Sequence, residues 1–146
     1  MHLWFLAHIA STLYMTGLIW FVQVVHYPLH AHVGQKTFLH YQHLHMNWTG
    51  YVVGPAMLVE LASTLYFLFN PVHGIPYQAF VTGAVLLFII WGSTGLLQVP
   101  FHNSLLQSFS ASAHQKLVLS NWVRTIAWTS RAVLVLYMIS TLIKQS

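Results

Sequence analysis

The chain has 146 residues, of which 57% are hydrophobic and 4% charged, and Glu60 is its sole acidic side chain. No Lys, Arg, Asp or Glu occurs from Met1 to Gln35 or from Leu61 to Gln115, which excludes a soluble domain with a charged surface and assigns the chain to the lipid bilayer. The absence of cysteine excludes disulfides, thiolate metal sites and thiol catalysis, and the net charge of +4 comes from five scattered basic residues, so it is not a nucleic-acid signal.

Spanning a bilayer as a helix takes about 20 apolar residues. The first segment that qualifies is Leu3–Leu29, which contains TGLIWFVQVVH with Gln23 and His26 and then meets Pro28. It lacks a basic start and is too long for a cleaved signal. A turn follows in HVGQKT near Gly34, and then a second apolar segment, Trp48–Phe69, holding Glu60. NPVHGIP around Gly74 forms the next break. The third segment, Tyr77–Pro100, ends in TGLLQVPFH with Gln98 and His102. SFSASA near Ser110 leads to the fourth, Leu117–Ile143. Connections this short predict an all-α, up-down-up-down four-helix bundle in the membrane. Lys36 and Lys116 put the first and third turns, residues 33–37 and 108–113, on the cytoplasmic side by the positive-inside rule, while Lys144 lies at the opposite end.

The two halves, roughly 1–73 and 74–146 of a single membrane domain, repeat each other. Gln23 pairs with Gln98, His26 with His102, His40 with His114, Asn47 with Asn121 and Trp48 with Trp122, at offsets of 74 to 76 residues. Such a repeat predicts two helical hairpins related by a pseudo-two-fold axis, with the copied polar groups facing the centre.

Depth can be counted from the turns. With Gln35 and Ala111 as turn centres, His26 and His102 lie nine residues before and His45 and Asn121 ten after. At about 1.5 Å per residue all four share a layer roughly 14 Å from the turns, with Gln23 and Gln98 about one helical turn deeper. His26, His45 and His102 on three helices are therefore the candidate metal ligands, for zinc, copper or non-haem iron with an open position. The alternative is a hydrogen-bond network in which Gln23, Gln98 and Asn121 fix the packing. His2, His8, His30, His32, His43 and His73 read as interfacial or structural, and His40 and His114 as capping residues.

On the fourth segment His114, Leu117, Asn121, Arg124, Trp128 and Arg131 recur in steps of three and four and line one face. Arginines on that stripe must face the bundle interior. Glu60 is close enough in depth to pair with Arg131, which leaves Arg124 without a carboxylate. Arg124 then needs a bound anion or carbonyl, or else the backbone carbonyls of Val24, Tyr51 and Leu96 that Pro28, Pro55 and Pro100 release. Trp122 and Trp128 flank Arg124 and offer a ring to stack on a planar ligand.

VPFHNSL followed by NWVRTIAWTSR resembles the third and fourth helices of the anthrone-oxygenase-like family of small four-helix membrane proteins. Val99, Pro100, Asn103 and Leu105 match its VPLNNxL segment, and Asn121, Arg124 and Thr125 match its W-N-x-x-R-T run. Pro28 and Leu29 give the first helix a similar exit. The chain departs from the family pattern at His102, where a small amide is usual, and at His26, His45 and Glu60. The resemblance implies oxidation of anthrone-like molecules by oxygen.

The favoured expectation is thus a membrane-embedded oxidoreductase or oxygenase acting on a small hydrophobic, ionisable substrate. In it His26 and His102 serve as bases, or as metal ligands with His45. Gln23, Gln98 and Asn121 orient them, and Arg124 holds the substrate anion. The rivals are a haem-binding electron carrier with His26 and His102 as axial ligands, and a non-catalytic subunit of a homo-oligomer or larger membrane complex.

Overall fold

The computed structural model describes residues 2–145; Met1, Ser146 and the side chain of His2 lie outside what it describes. The fold is four long helices, α1 (Leu3–His30), α2 (Gln35–Phe69), α3 (Tyr77–Leu105) and α4 (Ala111–Ile143), each apolar and long enough to cross a membrane. They stand in a square in which α1 touches α2 and α4, and α3 touches α2 and α4, so α1 and α3 are diagonal. The surface is inverted relative to a soluble bundle. Leu3, Tyr51, Phe69, Phe88 and Leu96 are more than three-quarters exposed, whereas Thr12, Gln42, Glu60, Ser63 and Asn121 are fully buried. Apolar side chains outside and polar ones inside are what lipid demands. This is an integral membrane protein.

The helices are longer than the apolar segments. α2 begins at Gln35 rather than Trp48 and α4 at Ala111 rather than Leu117, so the connections are residues 31–34 and 106–110. Residues 35–47 are too polar for lipid, yet they form helix readily and bury Phe38 and Gln42 against the bundle. At 35 residues α2 is roughly 52 Å long and overreaches a hydrocarbon core of about 30 Å. Ser110 caps α4 by accepting from the Ala113 amide at 3.3 Å. The α2–α3 loop turns at Gly74, whose φ of +89° suits only glycine.

α1 and α3 each widen into one π-helical turn, Val22–His26 and Thr94–Gln98, two residues before a proline. The amides of Tyr27 and Val99 reach back five residues, to the carbonyls of Val22 and Thr94. Proline lacks the N–H that would bond the residue four before it, and its ring collides with that carbonyl. Widening the preceding turn relieves the collision. These turns and prolines recur at an offset of 72 residues, shorter than the 74–76 of the polar pairs, so His30 rather than His26 corresponds to His102 relative to the proline.

Candidate functional site

One buried ion pair holds the middle of the bundle. Glu60 on α2 accepts from Arg131 Nε at 3.2 Å and Thr12 Oγ1 at 2.9 Å through one oxygen, and from Trp128 Nε1 at 2.9 Å through the other. Arg131 also donates to Thr64 Oγ1 at 3.2 Å and to the Gly83 carbonyl. All four helices meet here, and the only carboxylate side chain of the protein is fully engaged.

Arg124 lies two turns nearer the start of α4, on the same face. It is 8% exposed, and its Nε has no hydrogen-bond partner. Its guanidinium stands 5.3 Å from the centroid of the Trp128 ring. None of the carbonyls released by the prolines is bonded to it. It borders a cavity of about 410 Å³ that all four helices line. Met15, Ile19, Val53 and Met57 form the apolar part, while Tyr27, His45, Gln98 and His102 join Arg124 as its polar lining. An apolar chamber of this size with a few convergent polar groups has the form of a small-molecule site.

A directed hydrogen-bond chain positions that polar lining. Gln42 Nε2 donates to the His102 carbonyl at 3.1 Å and contacts His102 Nδ1 at 3.2 Å. A carbonyl can only accept, so this fixes the Gln42 amide orientation and makes His102 Nδ1 an acceptor. His102 then carries its proton on Nε2, 3.2 Å from the Tyr27 hydroxyl. Tyr27 donates to Gln98 Oε1 at 3.3 Å, and Gln98 Nε2 donates to Ser120 at 2.8 Å. At the other end Gln42 Oε1 takes the proton of His30 Nε2 at 2.8 Å, which leaves His30 Nδ1 bare and without a partner.

Around this chain five imidazoles cluster. The rings of His26 and His45 lie 4.5 Å apart and nearly parallel, at 24°; His45 and His102 are 5.2 Å apart. His30 lies 5.9 Å from His26, 5.7 Å from His45 and 5.4 Å from His114. His114 Nε2 donates to the Tyr27 carbonyl at 2.9 Å, in the interior rather than as a cap, whereas His40 is exposed. His26, His45 and His102 are therefore neighbours, but among the described residues no group of three or more His, Cys, Asp or Glu is set to hold a metal ion. A haem between His26 and His102 would need an open plane there; His45 packs against both rings.

The remaining expected site residues divide. Gln98, His102 and Arg124 border the large cavity. His26 instead lines a smaller one of about 200 Å³, with His45 shared between the two, and its Nε2 is unpartnered. Gln23 and Asn121 reach neither cavity: Asn121 donates to Gln23 Oε1 at 2.7 Å, and Gln23 donates to the Val118 carbonyl at 3.3 Å. They join α1 to α4. Trp122 points outward, 40% exposed and edge-on to Trp20 at 5.7 Å, because it lies off the α4 stripe. Trp128 is fully buried and carries both Arg124 and Glu60. Asn47 and Trp48, the counterparts of Asn121 and Trp122 in the first half, are exposed.

Of the other histidines, His32, His43 and His73 are exposed, and His8 is buried with Nδ1 3.0 Å from Ser63 Oγ. His30, which reads as structural from its place beside the turn, is fully buried at the centre of the cluster. With Gln42 and Tyr27 it is a site residue the polar repeat misses. The signal for His30 lies in the prolines: each of Pro28 and Pro100 is followed two residues later by histidine. Comparison of the chain with family models, curated proteins and solved structures gives no match.

Proposed function

We propose that the protein is a membrane-embedded oxygenase that ionises a small hydrophobic carbon acid and couples the resulting anion to dioxygen. The observation that carries this reading is Arg124, a buried guanidinium with no carboxylate partner beside an apolar cavity. An anion or enolate in the cavity supplies the missing charge, and a fixed cation beside developing negative charge lowers the barrier to forming it. His45 takes the proton. Its ring borders the cavity, and Thr49 engages only Nδ1, at 3.1 Å. His102 has both nitrogens committed to Gln42 and Tyr27 and acts as a positioning residue for the Tyr27 hydroxyl.

The chemistry balances without further reactants. Loss of a proton from a methylene flanked by an activating carbonyl leaves an electron pair that forms a C–O bond with dioxygen. The peroxide anion takes up one proton, and loss of water breaks the O–O bond and leaves a new carbonyl. The resemblance to anthrone-oxygenase-like proteins agrees with this class of substrate. Oxygen uptake tests the reading, with protein in liposomes supplied with anthrone or a fused-ring β-dicarbonyl that carries such a methylene. Substrate-dependent uptake that His45→Gln abolishes is expected. Uptake no faster than in protein-free liposomes across the panel contradicts it.

A second reading keeps a transition metal in the histidine cluster. What favours it is the pair of unpartnered nitrogens, His26 Nε2 and His30 Nδ1, on rings 5.9 Å apart that both touch His45. Zinc, copper and iron suit imidazole ligands. Elemental analysis of protein purified without an affinity metal tests it: near-stoichiometric metal lost in His26→Ala and His30→Ala supports the site, and metal-free active protein removes it.

A further inference from the structure

The cavity beside Arg124 reaches the lipid-facing surface between α2 and α3. Gly50 and Leu58 on α2, and Trp91 and Val99 on α3, line it and are themselves exposed. Glycines in membrane helices usually let two backbones approach closely. Gly50 and Gly54 do not serve that end: a Cβ built on either meets nothing within 4 Å. Their missing side chains leave a gap, and the gap leads to Arg124, which is 8% exposed and whose Nε has no hydrogen-bond partner. The backbone is also irregular along the walls. The π-helical turns supply Val22, Thr94 and Gln98 to the lining, and Pro55 interrupts the hydrogen bonding of α2 beside Gly54. Such departures from regular helix recur at functional sites.

We infer that the gap over Gly50 and Gly54 is a lateral portal, and that its occupant is a compact hydrophobic weak acid that enters from the bilayer as the neutral molecule and ionises only at Arg124. This rests on the function proposed above and adds the route and the charge state in transit. Arg124 is thirteen residues into α4, about 20 Å along the helix. An approach past Leu58, Trp91 and Val99 offers a charged head no hydration, so a permanently ionised head such as a sulfonate or phosphate is excluded from it. A weak acid crosses uncharged and leaves its proton on His45. The fixed charge of Arg124 then retains it.

Photolabelling in liposomes tests the portal, with 4-hydroxybenzophenone as a weak acid, 4-methoxybenzophenone as its non-ionisable analogue and benzophenone-4-sulfonate as the permanent anion. The phenol is expected to label cavity residues about tenfold more than the methoxy compound, a difference within the reach of one charge-assisted contact. The sulfonate is expected to give no cavity labelling. Gly50→Leu and Gly54→Leu place side chains in open space and favour helix, so the bundle is kept while labelling falls by about tenfold or more. Gly17→Leu, which also meets nothing within 4 Å but lies off the cavity, is the control and labels as wild type. Wild-type labelling in both portal variants, or cavity labelling by the sulfonate, overturns the inference. Arg124→Gln separates it from the proposed function. Loss of the phenol preference there supports both. A preference that survives in Arg124→Gln while the glycine variants still block labelling removes the anion-holding role and leaves the route intact.

Discussion

Arg124 and Trp128 form a stacked pair, the guanidinium 5.3 Å from the ring centroid, and the same indole donates its N–H to Glu60 at 2.9 Å. One fully buried side chain therefore joins the charge that is compensated to the charge that is not. Ring and N–H are separable by substitution. Trp128→Phe keeps a face under Arg124 and removes the donor to Glu60, and is expected to cost about 1–3 kcal/mol of stability, as loss of a hydrogen bond to a buried charge does. Ligand binding should persist. Trp128→Leu removes the cation–π contact as well and should weaken binding, which Trp128→Phe does not. Equal binding losses in the two variants would show that the ring face contributes nothing.

Glu60 and Arg131 test the structural half of the same arrangement. Glu60→Gln leaves Arg131 buried without its counter-charge and should destabilise the bundle by about 3–5 kcal/mol in detergent unfolding. Adding Arg131→Leu should recover part of that loss, because the uncompensated cation is gone. Simple addition of the two single effects would contradict the pairing.

The Gln42–His102–Tyr27 chain predicts a tautomer. His102 should carry its proton on Nε2, visible in ¹⁵N shifts of imidazole-labelled protein. Gln42→Leu should release the ring into a mixture of tautomers. Tyr27→Phe leaves the His102 N–H and Gln98 Oε1 unmatched and should cost about 1–3 kcal/mol. A proton on Nδ1 in the wild type would reverse the direction of the whole chain.

Much of this arrangement was legible in the residues. The α4 stripe from His114 to Arg131 stands out because polar side chains at helical spacing on an apolar segment can only face inward, and in the structure all six of its residues are buried. With a single carboxylate against two interior arginines, charge balance leaves one arginine over, and depth along the helices pairs Glu60 with Arg131 rather than Arg124. His30 was hidden for two reasons. A turn centred on Gln35 lies after the actual connection at residues 31–34, because Gln35 already opens α2, and His30 then reads as a residue of the turn. The π-helical turn at Val22–His26 then inserts a residue and rotates everything after it by about 100° relative to a regular helix. Pairing His26 with His102 at an offset of 76, where the prolines and π-helical turns recur at 72, puts His26 at the centre and leaves out His30. Trp122 lies near Arg124 in sequence but faces outward, since residues two apart on a helix do not share a face.

The central claim is that Arg124 stabilises an anion inside the bundle. Absorbance of 4-nitrophenol bound to the protein in lipid nanodiscs reads this directly, because the phenol and phenolate have distinct bands. In buffer about one pH unit below the solution pKa of the probe, the wild type should hold it as phenolate and Arg124→Gln as phenol, with Arg124→Lys between them because a point charge replaces a planar fork. Bound probe that remains protonated in the wild type, or ionises equally in Arg124→Gln, would contradict the account.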